Sequence, residues 1–212
     1  MIDVEKVLQK LKEERKYFHN ESDLQFHFSW YCKLLYPHIN IRLEYPFSGI
    51  EEQKNSNIDL ITFDDKEAWL FEFKFKTKAS YYYDDKLKEE FQNKDHGAQN
   101  INVVLIHHDI ARIENSIDKS KYISKRKVTK GFCIFLTNDK KYKKGFSKNS
   151  SVFKYGLNFP IIKKGKLNFT FSNDKKKEKS HLKKYNEIVH TKELKIKWSK
   201  YHEYDMMIVE IK

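Results

Sequence analysis

The sequence predicts an α/β fold, a central mixed β-sheet flanked by helices. Three observations carry that prediction. Residues 57–63 and 69–76 read as neighbouring strands, with side chains alternating in the two-residue period. A long helical pattern follows from Ala98, with Val103, Ile106, Ile110, Ile113 and Ile117 at helical spacing. Residues 131–137 and 205–211 are short apolar runs suited to buried strands. Helix, three strands, helix, strand and a late strand describe layers packed on one sheet.

In chain order, residues 3–18 read as a helix with Val4, Val7, Leu8 and Leu11 on one stripe. Asn20 is placed to cap a second helix, with Asp23 three residues later in a capping-box-like arrangement. Leu24, Phe28, Tyr31 and Leu35 form its apolar face, and Pro37 marks its end. Glu21 falls in its first turn, where a carboxylate complements the helix dipole. Residues 39–47 read as a strand, and 57–77 as a hairpin turning at Asp64-Asp65-Lys66. Tyr81 to Lys94 gives no clear element. Residues 138–200 are rich in lysine and weakly patterned, which suggests extended loops and edge elements.

Alternation places Phe71, Phe73 and Phe75 on one face of the third strand, a core face. Leu70, Glu72, Lys74 and Lys76 share the other. On the preceding strand Ile58, Leu60 and Thr62 lie on one side, and Asp59, Ile61 and Phe63 on the other. Antiparallel pairing can bring Asp59 opposite the Glu72/Lys74 region. Two like charges a few ångströms apart repel by about 4 kcal/mol at an intermediate dielectric. A hard divalent cation removes that cost and takes oxygen ligands. The plain alternative is the solvated face of an amphipathic hairpin.

With 212 residues and 39% hydrophobic content, the chain fits one domain spanning 1–212 better than two. Its core is expected at roughly 20–140, followed by the Lys-rich elaboration 138–200 and a final strand at 205–211. There is no apolar run long enough to cross a membrane, and the charged N-terminal stretch is no signal peptide. Cys32 and Cys133 lack metal-ligand spacing, so a reduced, cytoplasmic protein is expected. The net charge of +12 favours a polyanionic partner, although a low-GC coding bias would also enrich lysine. The basic residues cluster at 119–130, 140–144 and 175–184. Tyr142, Tyr155 and Tyr185 are candidates for stacking on bases or for the core. His107 and His108 lack an acidic partner at metal-like spacing with both and read as structural. Asp109, Arg112 and Glu114 read as surface ion pairs along the helix.

The order of elements, with Asp59 on the second strand and Glu72-Phe73-Lys74 on the third, resembles the PD-(D/E)XK nuclease superfamily. The resemblance covers roughly residues 20–140 and implies a restriction-endonuclease-like αβββαβ core. Glu21 matches the acidic position that many members carry on the helix before the sheet. Ile58 stands where the signature has proline. Gln92 and Gln99 are followed at the relevant spacing by His96 and Val103 rather than tyrosine, which argues against the exonuclease-type branch.

The resemblance implies a Mg²⁺-dependent endonuclease of restriction or phage-defence type, with Mn²⁺ able to substitute. Asp59 and Glu72 would hold the ion, with the Phe73 carbonyl as third ligand and Glu21 on a second ion or a metal water. Lys74 would orient the attacking water. Lys76, Lys125, Arg126 and Lys127 are candidates for phosphate contacts, which give salt-dependent affinity without sequence readout. DNA is the expected substrate, with RNA an alternative. Cutting a duplex usually takes two active sites, which a homodimer would supply. Two other readings stand beside this one: a non-catalytic nucleic-acid-binding module on the same fold, and a protein-interaction domain.

Overall fold

The computed structural model describes residues 2–46, 57–169 and 187–212. Two helices open the chain, α1 (Val4–Glu14) and α2 (Glu21–Leu35), followed by the antiparallel strands β1 (Asn40–Pro46), β2 (Asn57–Phe63) and β3 (Glu67–Phe75). A small hairpin, β4 (Ser80–Asp84) and β5 (Glu89–Asn93), precedes the long helix α3 (Gln99–Asp118). Next come β6 (Tyr122–Ile123), β7 (Arg126–Thr137) and the single turn α4 (Lys141–Lys144). The chain ends with β8 (Ile161–Ile162), β9 (Gly165–Asn168), β10 (Glu187–His190), β11 (Leu194–Tyr201) and β12 (Tyr204–Ile211). The main sheet is mixed, in the order β1-β2-β3-β7-β12-β11-β8, with β6 pairing beside β7. Among the described residues no helix is long and apolar enough to cross a membrane.

The sheet has an apolar cluster on each face. Phe71, Phe73 and Phe75 of β3 join Val7 and Leu11 of α1 and Leu24 and Phe28 of α2. Leu70 of β3 and Cys133 and Phe135 of β7 join Val103, Ile106, Ile110 and Ile113 of α3. The predicted alternation along β3 therefore holds, and it aims Glu72 and Lys74 at α3. Strands β3 and β7 are parallel, so the chain must cross over between them, and α3 does this while covering the sheet. The close approach is set at Gly131, where an added Cβ would overlap the Ile113 side chain.

The helix starts follow their caps. Asp3 Oδ1 accepts from Lys6 N, and Asn20 Oδ1 accepts from Asp23 N while Asp23 Oδ2 accepts from His19 N. Helix α1 stops at Glu14 instead of residue 18 because the next aromatics serve elsewhere. Tyr17 stacks on Tyr82 of β4, and Phe18 is wholly buried against Phe75 and Tyr201. The hairpin at 80–93 was not legible in its tyrosine run. It alternates Tyr82 inward with Tyr81 and Tyr83 outward, and it buries Phe91.

The lysine-rich region holds more order than its composition suggests. In β11, Leu194 and Ile196 are buried between exposed Lys195 and Lys197, a period-2 strand. It pairs with β12, which lies beside β7 as an interior strand of the sheet. The expected final strand is thus present and central. Lys175, Lys176, Lys177, Lys179, Lys183, Lys184 and Tyr185 lie outside the described residues.

Candidate functional site

Strands β2 and β3 pair regularly from Phe63–Ala68 to Leu60–Phe71, and their ladder ends there. Beyond it the Phe73 N–H donates to the Asp59 side chain, 2.6 Å from Oδ2, instead of to backbone. Gln25 of α2 donates its amide to the Asp59 carbonyl and to Glu44 Oε1, the latter at 3.2 Å. On the other side of β2, Glu44 adopts φ +48 and the β1–β2 register skips its pairing with Asp59. The local departure from a regular ladder has a second effect. Ile58, expected beside Leu60, instead joins Ile61 in the cluster under α3.

Glu72 and Lys74 face α3, as their strand positions require. Lys74 Nζ donates to the Phe73 carbonyl at 2.9 Å and lies 3.7 Å from Glu72 Oε2. Two residues the sequence reading set on the helix surface complete the group. Against β3, Arg112 of α3 is buried and Asp109 partly so: Asp109 Oδ2 is 3.0 Å from Lys74 Nζ, and Arg112 bonds to Glu72 Oε1. Their assignment as surface ion pairs is therefore corrected, and so is that of Glu114, which is wholly buried. The signal was present in the breadth of the α3 stripe. A helix with apolar residues on nearly every side has no solvated face left for its charges.

Glu21 sits at the edge of this group. Its Oε2 accepts from Phe75 N at 2.8 Å and from Lys76 Nζ at 3.2 Å. Asp59, Glu72, Lys74, Glu21 and Lys76 are thus gathered on the C-terminal half of β3. The candidate phosphate contacts Lys125, Arg126 and Lys127 are not. Lys127 pairs with Glu67, seven residues before Lys74 along the strand, or about 23 Å at a rise of about 3.3 Å per residue. Arg126 is also engaged locally, by the Asp64 carbonyl and over the Phe63 ring at 5.0 Å. Tyr142 is buried and accepts from Asn102 at 2.8 Å, so it belongs to the core and offers no ring to a base. Tyr155 packs on Phe169.

The electrostatics of the group are uneven. Burial pushes Asp59 up to about 6; Lys74 and the Phe73 N–H oppose the rise, and Glu21 and Asp109 add to it. Burial also raises Glu72, with Asp109 and Asp59 contributing against Lys74 and Arg112. Burial works against a charged Lys74, but Asp109, Glu72, Glu21 and Asp59 outweigh it and hold the amine protonated. Asp109 is the reverse case. Burial disfavours its charge, yet Lys74, His108 and Arg112 together keep it ionised.

Comparison with known protein families, curated proteins and solved structures gives no match. Among the described residues no three His, Cys, Asp or Glu side chains form a ready-made metal cage. An ion held here would rest on Asp59, Glu72 and the Phe73 carbonyl. That all-oxygen set suits Mg²⁺, which keeps several of its own waters.

Proposed function

We propose that this protein is a metal-dependent nuclease hydrolysing DNA phosphodiester bonds, on a restriction-endonuclease-like core of α2, β1, β2, β3, α3 and β7. The observation that carries the reading is the bond from Phe73 N to the Asp59 carboxylate. It brings a β2 acid beside Glu72 and Lys74 of β3, the set and order that the sequence motif requires. Bound Mg²⁺ would supply Lewis acidity and a bound water of lowered pKa. Asp59 and Glu72 would be its side-chain ligands. Lys74, held cationic by its acidic neighbours, would orient the attacking water and offset charge developing on the phosphate. Glu21, through Phe75 N and Lys76, fixes the outer edge of the site. The +12 charge supports a polyanionic substrate, with Lys76 at the site and Lys125–Lys127 as distal contacts.

Supercoiled plasmid incubated with Mg²⁺ tests this. Nicking or linearisation is expected, and Lys74→Ala or Asp59→Asn should reduce it by about 10²–10³-fold. Variants as active as the wild type would remove the site from the reaction. The ion pair between Arg112 and Glu72 favours a second reading, a binding module that does not cut. It predicts steeply salt-dependent DNA binding with no nicking in Mg²⁺ or Mn²⁺.

A further inference from the structure

Glu72, Arg112, Asp109 and Lys74 close a ring of alternating charge. Arg112 bonds Glu72 Oε1 and lies 3.7 Å from Asp109 Oδ1. Asp109 Oδ2 is 3.0 Å from Lys74 Nζ, which is 3.7 Å from Glu72 Oε2. The four side chains are between 2 and 14% exposed. The ring has a simple sequence origin. Glu72 and Lys74 share one face of a strand, and Asp109 and Arg112 lie three residues apart on the helix that covers it.

Stability alone is a poor reason for such a ring, because desolvating buried ion pairs often costs as much as their attraction returns. A role at the site explains it better. Both oxygens of Glu72 face a cation of the protein, Arg112 within hydrogen-bond range and Lys74 at 3.7 Å, so a metal ion on this carboxylate competes with their charge, Arg112's most directly. Arg112 is the cation able to yield. Asp109 stands next to it as an alternative partner, and among the described residues nothing accepts from its buried Nε. Counting Lys76 and Glu21, three basic side chains, Lys74, Lys76 and Arg112, meet four acidic ones, Asp59, Glu72, Asp109 and Glu21, so the cluster is not short of acidic groups for a cation.

Building on the proposed metal site, we propose that Arg112 is a positioning residue that stands in for the metal ion on Glu72. Asp109 is its counterpart, drawing Arg112 and Lys74 away when the ion enters. The pair sets the affinity of the site for a divalent cation. Arg112 competes with the ion, and Asp109 weakens that competition.

Calorimetric titration of Mn²⁺ into the whole chain tests this, together with melts in metal-free buffer. Arg112→Gln should bind Mn²⁺ about ten-fold tighter, and Asp109→Asn about ten-fold weaker. Arg112→Lys, which keeps the charge, should stay near the wild type. Damage to the fold would weaken both variants, so opposite signs are the signature of competition. If Arg112→Gln unfolds without metal, Mn²⁺ should refold it, and Asp109→Asn carries the comparison alone. Wild-type binding with unchanged affinity in Arg112→Gln and Asp109→Asn overturns the role of the pair and leaves the metal site standing. A wild type that binds no Mn²⁺ overturns both.

Discussion

Helix α3 carries two buried polar clusters on opposite sides, and they are built to different rules. Toward β3, Asp109 and Arg112 meet Glu72 and Lys74. Toward the antiparallel pair β9 and β10, His107 and Glu114 meet His190. In the second cluster every polar atom has a partner. His107 Nε2 donates to the Tyr155 carbonyl at 2.8 Å, and its Nδ1 is 3.0 Å from His190 Nε2. His190 Nδ1 meets Glu114 Oε2, and Glu114 Oε1 accepts from Thr191 Oγ1 and Lys192 N. A carbonyl can only accept, so His107 carries its proton on Nε2 and takes one from His190 on Nδ1. The chain is complete without an ion. The first cluster pairs its charges among themselves and still leaves Asp59 raised to about 6. A self-satisfied buried network fixes structure, and on the function proposed above the group around Asp59 is the one that a metal ion would complete.

The largest expected effect tests the structural half of this contrast. Glu114→Ala leaves His190 and the Lys192 N–H without their acceptor, and should cost about 3–5 kcal/mol of stability in a urea titration. Mn²⁺ affinity should not change. A shift in affinity would mean that α3 couples the two clusters, and the division between them would fail. The functional half gives the opposite sign. Asp59→Asn removes a carboxylate ionised against its environment, so in metal-free buffer above pH 7 it should raise stability by up to about 3 kcal/mol. The asparagine oxygen can still accept from Phe73 N. Mn²⁺ should stabilise the wild type and do nothing for this variant. If Asp59→Asn melts lower than the wild type without metal, the carboxylate is a structural hydrogen-bond partner and not an unmet charge.

The two clusters differed as much in legibility. Asp59, Glu72 and Lys74 were readable because strand alternation fixes direction from sequence alone, and acidic residues among phenylalanines conflict with a plain core strand. Glu21 was readable through its place just after the Asn20 cap. Asp109 and Arg112 were missed because opposite charges three apart on a helix also suit a solvated face. Only their contact with Glu72 and Lys74, across about 40 residues of chain, reveals the other meaning. His190 could not have been matched with His107 and Glu114 at all. Their meeting depends on the pairing of β9 with β10, strands too short to announce themselves among lysines.

Acidification gives the smallest effect and separates the clusters most directly. Asp59 in the folded protein takes up its proton near pH 6, before the unfolded chain does near its ordinary 3.8, so this group adds stability as the pH falls from 6 to 4. His107 behaves oppositely. Burial and the neighbouring His190 lower it to about 3, against the pull of the Tyr155 carbonyl, so below pH 6.5 the unfolded chain takes up a proton that the fold refuses. Stability from this group is lost over the same range. In the wild type these two contributions oppose each other. In metal-free melts between pH 7 and 4, Asp59→Asn should steepen the acid limb, and His107→Gln, which keeps a donor for the Tyr155 carbonyl, should flatten or invert it. Parallel profiles for the two variants would show that neither group titrates as its surroundings dictate, and the contrast between a finished network and an unfinished one would lose its electrostatic basis.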